Sequence, residues 1–279
     1  KEIYHGLSAQ PTTVVNGKTV LALGEKQWNG NAWTDLPSPI PGDGNALPLD
    51  AMIPGGVYTY YSSPEDLQMV RDTIDVFSER GAWSQANNFP RLFPEAVKAR
   101  YDIHTVITKL VDVINGQMQA NLRIKDGMHG IEKSGSTETI NSMMLISDEG
   151  ITKIFPNWYA DKNAKFAHLR AKGAFTVSAE YDGSAQEAKN VVITSEKGKT
   201  MTLVSPWAEG ATVRDSSGNI VKTKAGTVPD WEDEKTITFD TTAGETYTVE
   251  KGGAPVELDY TGIDKVIEEA EAIQQLSLI

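Results

Sequence analysis

The strongest constraint on this 279-residue chain is a change of hydrophobic period near Gly150. Before it, apolar residues recur every three to four positions. After it, they alternate every two. A helical stripe has a period of 3.6 and a half-buried strand a period of 2, so one segment cannot satisfy both. The expected class is therefore α+β multidomain. Residues 1–150 read as a helical portion and 151–252 as an antiparallel β-sandwich. Residues 253–279 read as a linker and the start of a helical module.

The first helix is marked by chemistry as well as period. Ser63 is an N-cap residue, Pro64 suits the first turn, and Glu65 and Asp66 complement the positive end of the dipole. Leu67, Val70, Ile74 and Phe77 make its apolar face, and Gly81 closes it. A second helix starts near Trp83 or Pro94 and carries Ala96 and Val97. A third runs from about Asp102 to Met118 on Ile103, Val106, Ile107, Leu110, Val111 and Ile114. A fourth starts at Ser136 or Thr137 and continues through Ile140, Met143, Met144 and Ile146, its methionines filling core. Upstream, Asn16-Gly17 predicts a hairpin within 14–21. Pro37, Pro39, Pro41, Pro48 and Pro54, among glycines, predict a long irregular loop. Paired helices joined by polar loops fit a helical bundle or part of an α/α barrel, and periodicity does not choose between them.

Beyond Gly150, runs such as Phe175-Thr176-Val177-Ser178, Val191-Val192-Ile193-Thr194, Met201-Thr202-Leu203-Val204, Ile220-Val221-Lys222-Thr223 and Thr236-Ile237-Thr238-Phe239 read as strands. Turns at Asp182-Gly183, Lys197-Gly198, Ser217-Gly218 and Ala243-Gly244 separate them at the spacing of a sandwich.

Composition excludes more than it suggests. A net charge of −12 argues against nucleic acid and anionic lipid, which both need clustered Lys and Arg. No apolar run approaches the ~18 residues of a membrane helix, so no membrane insertion is expected. The absence of cysteine removes disulfides, thiolate zinc sites and a thiol nucleophile. No phosphate-binding loop, zinc-protease motif or nucleophile elbow is present, and His5, His104, His129 and His168 are scattered. No metal or cofactor is expected. The chain starts at Lys1 and stops in mid-pattern at Ile279, which reads as a cut from a longer polypeptide whose remainder would be its partner.

Two polar loops stand out. Asp126 to Thr137 is glycine-rich, carries His129 and Glu132, and leads into the fourth helix. In an α/α barrel such a loop lines the central funnel, where a carboxylate can activate water for glycoside hydrolysis. The same glutamate serves equally as half of a surface ion pair. The second loop is Trp83-Ser84-Gln85-Ala86-Asn87-Asn88. Trp83 offers a stacking face for a sugar, and Asn87 and Asn88 offer hydrogen bonds to hydroxyls. Such residues also cap helices routinely.

Taken together, Gly130-Ile131-Glu132, Ile140 to Ser147, Asp148-Glu149-Gly150-Ile151-Thr152-Lys153-Ile154-Phe155-Pro156 and Leu169-Arg170-Ala171-Lys172-Gly173-Ala174-Phe175-Thr176-Val177 form a recognisable order. It resembles the end of the catalytic barrel and the following β-domain in the glycoside hydrolase family of inverting α-L-fucosidases and α-L-galactosidases. The likeness spans residues 83–205 and is most specific over 140–177. It implies the last helices of an (α/α)6 barrel followed by a sandwich. It also implies a general-acid Glu and water-orienting Asn residues upstream of this chain. The family's base is an Asp in an Asp-x-Asn-Phe-Gly loop. The matching stretch here is Glu132-Lys133-Ser134-Gly135, with Glu132 as counterpart of the base and no counterpart of the Asn-Phe pair. The implied protein is a secreted or cell-surface bacterial enzyme acting on an oligosaccharide or glycan. A non-catalytic carbohydrate-binding or structural surface module remains the alternative.

Overall fold

The computed structural model describes residues 9–36, 38–120 and 132–252, with only the helical backbone at 132–134. Its compact units are Lys1–Met143 and Met144–Ile279. The expected module at 253–279 lies outside the described residues, as does His129.

The first unit is α+β. Strands β1 (Thr12–Val15) and β2 (Lys18–Leu21) form the expected hairpin, with Asn16 and Gly17 at φ +50° and +80°. Both turn positions need positive φ, which Asn and Gly tolerate best. A second hairpin, β3 (Lys26–Trp28) and β4 (Trp33–Asp35), occupies a stretch that reads as loop in the sequence. Asn29 builds its turn by accepting from the amides of Asn31 and Ala32, both at 3.0 Å.

Helix α1 (Pro64–Glu79) begins as predicted: the Ser63 hydroxyl accepts from the Asp66 amide at 3.1 Å. It buries Leu67, Val70, Ile74 and Phe77. Its Thr73 accepts from the Leu21 amide at 2.9 Å, and Lys18 reaches Asp72 at 2.7 Å, which fastens β2 to the helix. Helix α2 (Leu92–Lys98) starts near Pro94, later than Trp83, and helix α3 (Ile103–Gln117) is capped by Asp102. Helix α4 (Glu132–Met144) begins earlier than the expected Ser136.

The expected fourth helix reached Ile146; the observed one stops at Met144. Leu145–Asp148 becomes strand β5 and pairs with β6 (Ile151–Ile154) across a Glu149-Gly150 turn, whose φ values are +51° and +79°. The two-residue turn commits both flanks to a hairpin. Leu145 and Ile146 are both buried, so their apolar character fits a strand as well as a helix.

The second unit holds two five-stranded sheets. One has the order β12-β13-β10-β6-β5 and the other β11-β14-β9-β8-β7. The further strands are β7 (Ala164–Ala171), β8 (Phe175–Asp182), β9 (Glu187–Ser195), β10 (Met201–Val204), β11 (Ala211–Arg214), β12 (Lys224–Val228), β13 (Trp231–Phe239) and β14 (Thr246–Lys251). Pairing is antiparallel except between β6 and β10, which run parallel at Thr152 and Leu203. Leu203, Ile237 and Phe239 of the first sheet and Val177, Ile193 and Val249 of the second are buried. Phe239 meets Tyr247 across the sheets at 5.6 Å between ring centres. The arrangement is sandwich-like.

One expected strand is absent from its predicted place. Ile220–Thr223 contributes only a single bridge, Ile220 to Arg214, and strand β12 follows it. Asp215 accepts from the amides of Ser217 (3.0 Å) and Asn219 (2.8 Å), and this side-chain-closed turn leaves Ile220 68% exposed.

Candidate functional site

Gly81 ends α1 at φ +78°, and the chain makes a tight 3-10 turn over Ala82–Ser84. That turn puts Trp83 into the core. Its ring is 4% exposed, lies 5.0 Å from Phe93 and 6.2 Å from Tyr101, and its indole N–H donates to the Ser78 hydroxyl at 2.8 Å. The expectation that Trp83 presents a face to a sugar is corrected: its faces and its donor are already committed.

Asn88 is corrected for the same kind of reason. It is buried, its amide donates to the carbonyls of Gly44 (2.8 Å) and Ala82 (3.0 Å), and its oxygen accepts from the Ala46 amide at 3.0 Å. Every strong hydrogen-bonding direction of the side chain serves the backbone of two loops. Asn87 is different. It is exposed, and its carbonyl accepts from Arg91 Nε at 3.3 Å.

The described part of the glycine-rich stretch, from Glu132 on, is the start of α4, and it meets the chain just after the Asn87-Asn88 loop. Gly135, three residues into α4 from Glu132, packs on the backbone of Phe89 and Pro90. A Cβ at Gly135 would stand 2.1 Å from the Phe89 oxygen, so no side chain fits. Three residues of helix rise about 4.5 Å, so the Glu132 backbone lies one turn along α4 from Gly135. The Asp126–Ile131 part of that stretch is outside the described residues.

Beside this contact lies a set of charges that the loops did not advertise. Arg91 pairs with Asp50. One turn on, Glu95 is 1% exposed, on a helix whose Leu92, Phe93, Pro94, Ala96 and Val97 are buried as well. Burial pushes its carboxyl well above the ordinary 4.5, and the Arg91 charge opposes that shift only in part. Its Oε1 has no hydrogen-bond partner among the described residues. Burial thus favours the protonated, uncharged form of Glu95 inside the fold. The sequence signal was present: a lone Glu within the apolar run Leu92-Phe93-Pro94-Glu95-Ala96-Val97.

The β3–β4 hairpin also went unread. It carries Trp28 and Trp33 directly opposite each other, edge to face at 5.8 Å, 55% and 67% exposed. The signal was two tryptophans flanking Asn29-Gly30-Asn31-Ala32. Among the described residues, no cluster of three His, Asp or Glu is placed to hold a metal. Nor is any helix long and apolar enough to cross a membrane.

No family model matches this chain, and no curated protein matches its sequence.

Proposed function

We propose that this chain belongs to a secreted or cell-surface bacterial glycoside hydrolase, inverting and α-L-fucosidase- or α-L-galactosidase-like, with α1–α4 as the last helices of its barrel. Glu132 is its base. Its carboxylate takes a proton from water, the water oxygen attacks the anomeric carbon, and the glycosidic C–O bond breaks. A carboxylic acid from the remainder of the polypeptide protonates the departing oxygen. The two carboxyl groups of such a pair stand about 6.5–9.5 Å apart to admit the water.

The approach of Gly135 to Phe89 carries this reading, because it brings the first turn of α4 beside the loop that holds exposed Asn87. Asn87 then remains as the hydroxyl-binding candidate, with His129 from the preceding loop. The test is hydrolysis of aryl α-L-fucoside and α-L-galactoside by the intact polypeptide. Glu132→Gln is expected to lower the rate by about 10²–10⁴. Undiminished hydrolysis by that variant removes the assignment.

The second reading is a non-catalytic carbohydrate-binding or structural cell-surface module. It is favoured by the internal commitments of Trp83 and Asn88, which leave fewer polar and aromatic groups for a catalytic funnel. Lack of hydrolysis with retained glycan binding selects it.

A further inference from the structure

The second unit has an open cleft of about 180 Å³ where the end of β6 and β10 meets the turn between β8 and β9. It is smaller than the ~300 Å³ at which drug-sized pockets begin, and so matches a single small ring. Its apolar lining pairs the aromatic Phe155 and Tyr181 with Ile154, Ala188, Val204 and Pro206. Phe155 stands 5.3 Å from Tyr181 and 5.3 Å from Phe166, between ring centres, and both Phe155 and Tyr181 are partly open to solvent. Phe155 leaves β6 at φ +48°, in the left-handed region that a bulky residue seldom adopts, instead of continuing the strand.

The rim is polar but electrically closed. Lys153 is bonded to Glu234 at 2.9 Å, and Glu187 to Lys251. Each charge near the cleft therefore has its counter-charge inside the protein. Among the described residues, a phosphate or carboxylate ligand would find no free cation there, and an ammonium ligand no free carboxylate. What remains for a ligand is the Gln186 amide, exposed and without a side-chain hydrogen bond among the described residues, and the Ser205 oxygen, whose proton goes to the Trp207 carbonyl.

Aromatic faces beside an uncharged amide suit a ligand with C–H bonds on one face and hydroxyls at its edge. We infer that this cleft binds one pyranose ring of a neutral saccharide, between the Phe155–Tyr181 wall and the Gln186 amide. The site lies wholly within the second unit. It is separate from the Glu132 reading and stands if that reading fails.

The experiment is saturation-transfer NMR on the 279-residue chain with methyl α-L-fucoside, methyl β-D-galactoside and methyl β-D-glucoside as probes, and inorganic phosphate as competitor. Transfer to the ring protons of at least one glycoside is expected, unchanged by phosphate and unchanged in Glu132→Gln. Gln186→Gly removes the amide while suiting the φ of +55° at that position, so it retains the fold. It is expected to weaken binding about threefold to tenfold. Tyr181→Leu is expected to abolish transfer. No transfer to any of the three glycosides, displacement by phosphate, or transfer indifferent to Gln186→Gly each overturns the inference. Loss of transfer only in Glu132→Gln does so too, by relocating the ring to the first unit.

Discussion

Gly135 and Phe89 touch backbone to backbone: the α-carbon of one sits where a methyl group would collide with the carbonyl oxygen of the other. Neither partner is a flexible side-chain end, so the collision has no cheap relief. Gly135→Ala must push α4 away from the Phe89-Pro90 segment. The expected cost is about 1–3 kcal/mol, the range for overpacking a filled interior. Urea unfolding checks it. If the Glu132 assignment holds, hydrolysis falls as well, because the same shift moves the first turn of α4. A variant as stable as the parent shows that the close approach is not a constraint.

Asn88 ties three backbone groups from two loops, and its substitutions separate the loss of hydrogen bonds from the burial of a charge. Asn88→Ala leaves the Gly44 and Ala82 carbonyls and the Ala46 amide without their partner. That is expected to cost about 2–4 kcal/mol, from unsatisfied buried groups at roughly 1–3 kcal/mol each with partial rescue by water. Asn88→Asp is expected to be worse, because a buried carboxylate then faces two carbonyl oxygens. Thermal melts of both variants decide the order. Asp tolerated better than Ala refutes it.

Much of the fold was legible because its local signals agree with its tertiary role. Asn16-Gly17 specified a hairpin, Ser63-Pro64 a helix start and Met201–Val204 a strand, and each stands where its chemistry put it. Ile146 misled because Leu145 and Ile146 are buried whichever element they adopt. Only the Glu149-Gly150 turn, which pairs Leu145–Asp148 with β6, decides for a strand. Trp83 and Asn88 misled for a different reason. A tryptophan and an asparagine in a polar loop have the same sequence whether they face a ligand or the interior, and the difference here rests on Ser78, Gly44 and Ala46. The Asn88 partners Ala46 and Gly44 are 42 and 44 residues away, beyond any local pattern, and Ser78 accepts from Trp83 only because the Gly81 turn points the ring inward.

Trp28 and Trp33 meet on a hairpin whose strand residues are otherwise mostly exposed, so the contact between them is the main side-chain glue of β3–β4. Cross-strand aromatic pairs contribute about 0.5–1 kcal/mol. Trp28→Ala is expected to open this hairpin while leaving the global melting temperature unchanged. The readout is the exciton couplet of the edge-to-face indole pair in circular dichroism, lost in the variant, with faster exchange of the Gln27 and Thr34 amides, which lie in the hydrogen-bonded register of the hairpin. A couplet that survives the substitution assigns the signal to other tryptophans and sinks the prediction.

Glu95 makes stability depend on pH in a direction opposite to most carboxylates. Burial raises its folded-state pKa well above the 4.5 of an exposed Glu. Below that lower value both the folded and the unfolded chain hold the proton, and the group is neutral to stability. As pH rises past it, the unfolded chain releases the proton while the folded chain retains it. Stability is then lost by up to about 1.4 kcal/mol per pH unit, until the folded pKa is passed. Glu95→Gln has no proton to release. Relative to the parent, it is expected to gain stability as pH rises from 4.5 toward the raised folded-state value, on top of a pH-independent offset from fitting the amide. Urea unfolding of both proteins at three pH values in that window measures the difference. A difference that stays flat with pH means that Glu95 is ionised in the fold, and that Arg91 outweighs burial there.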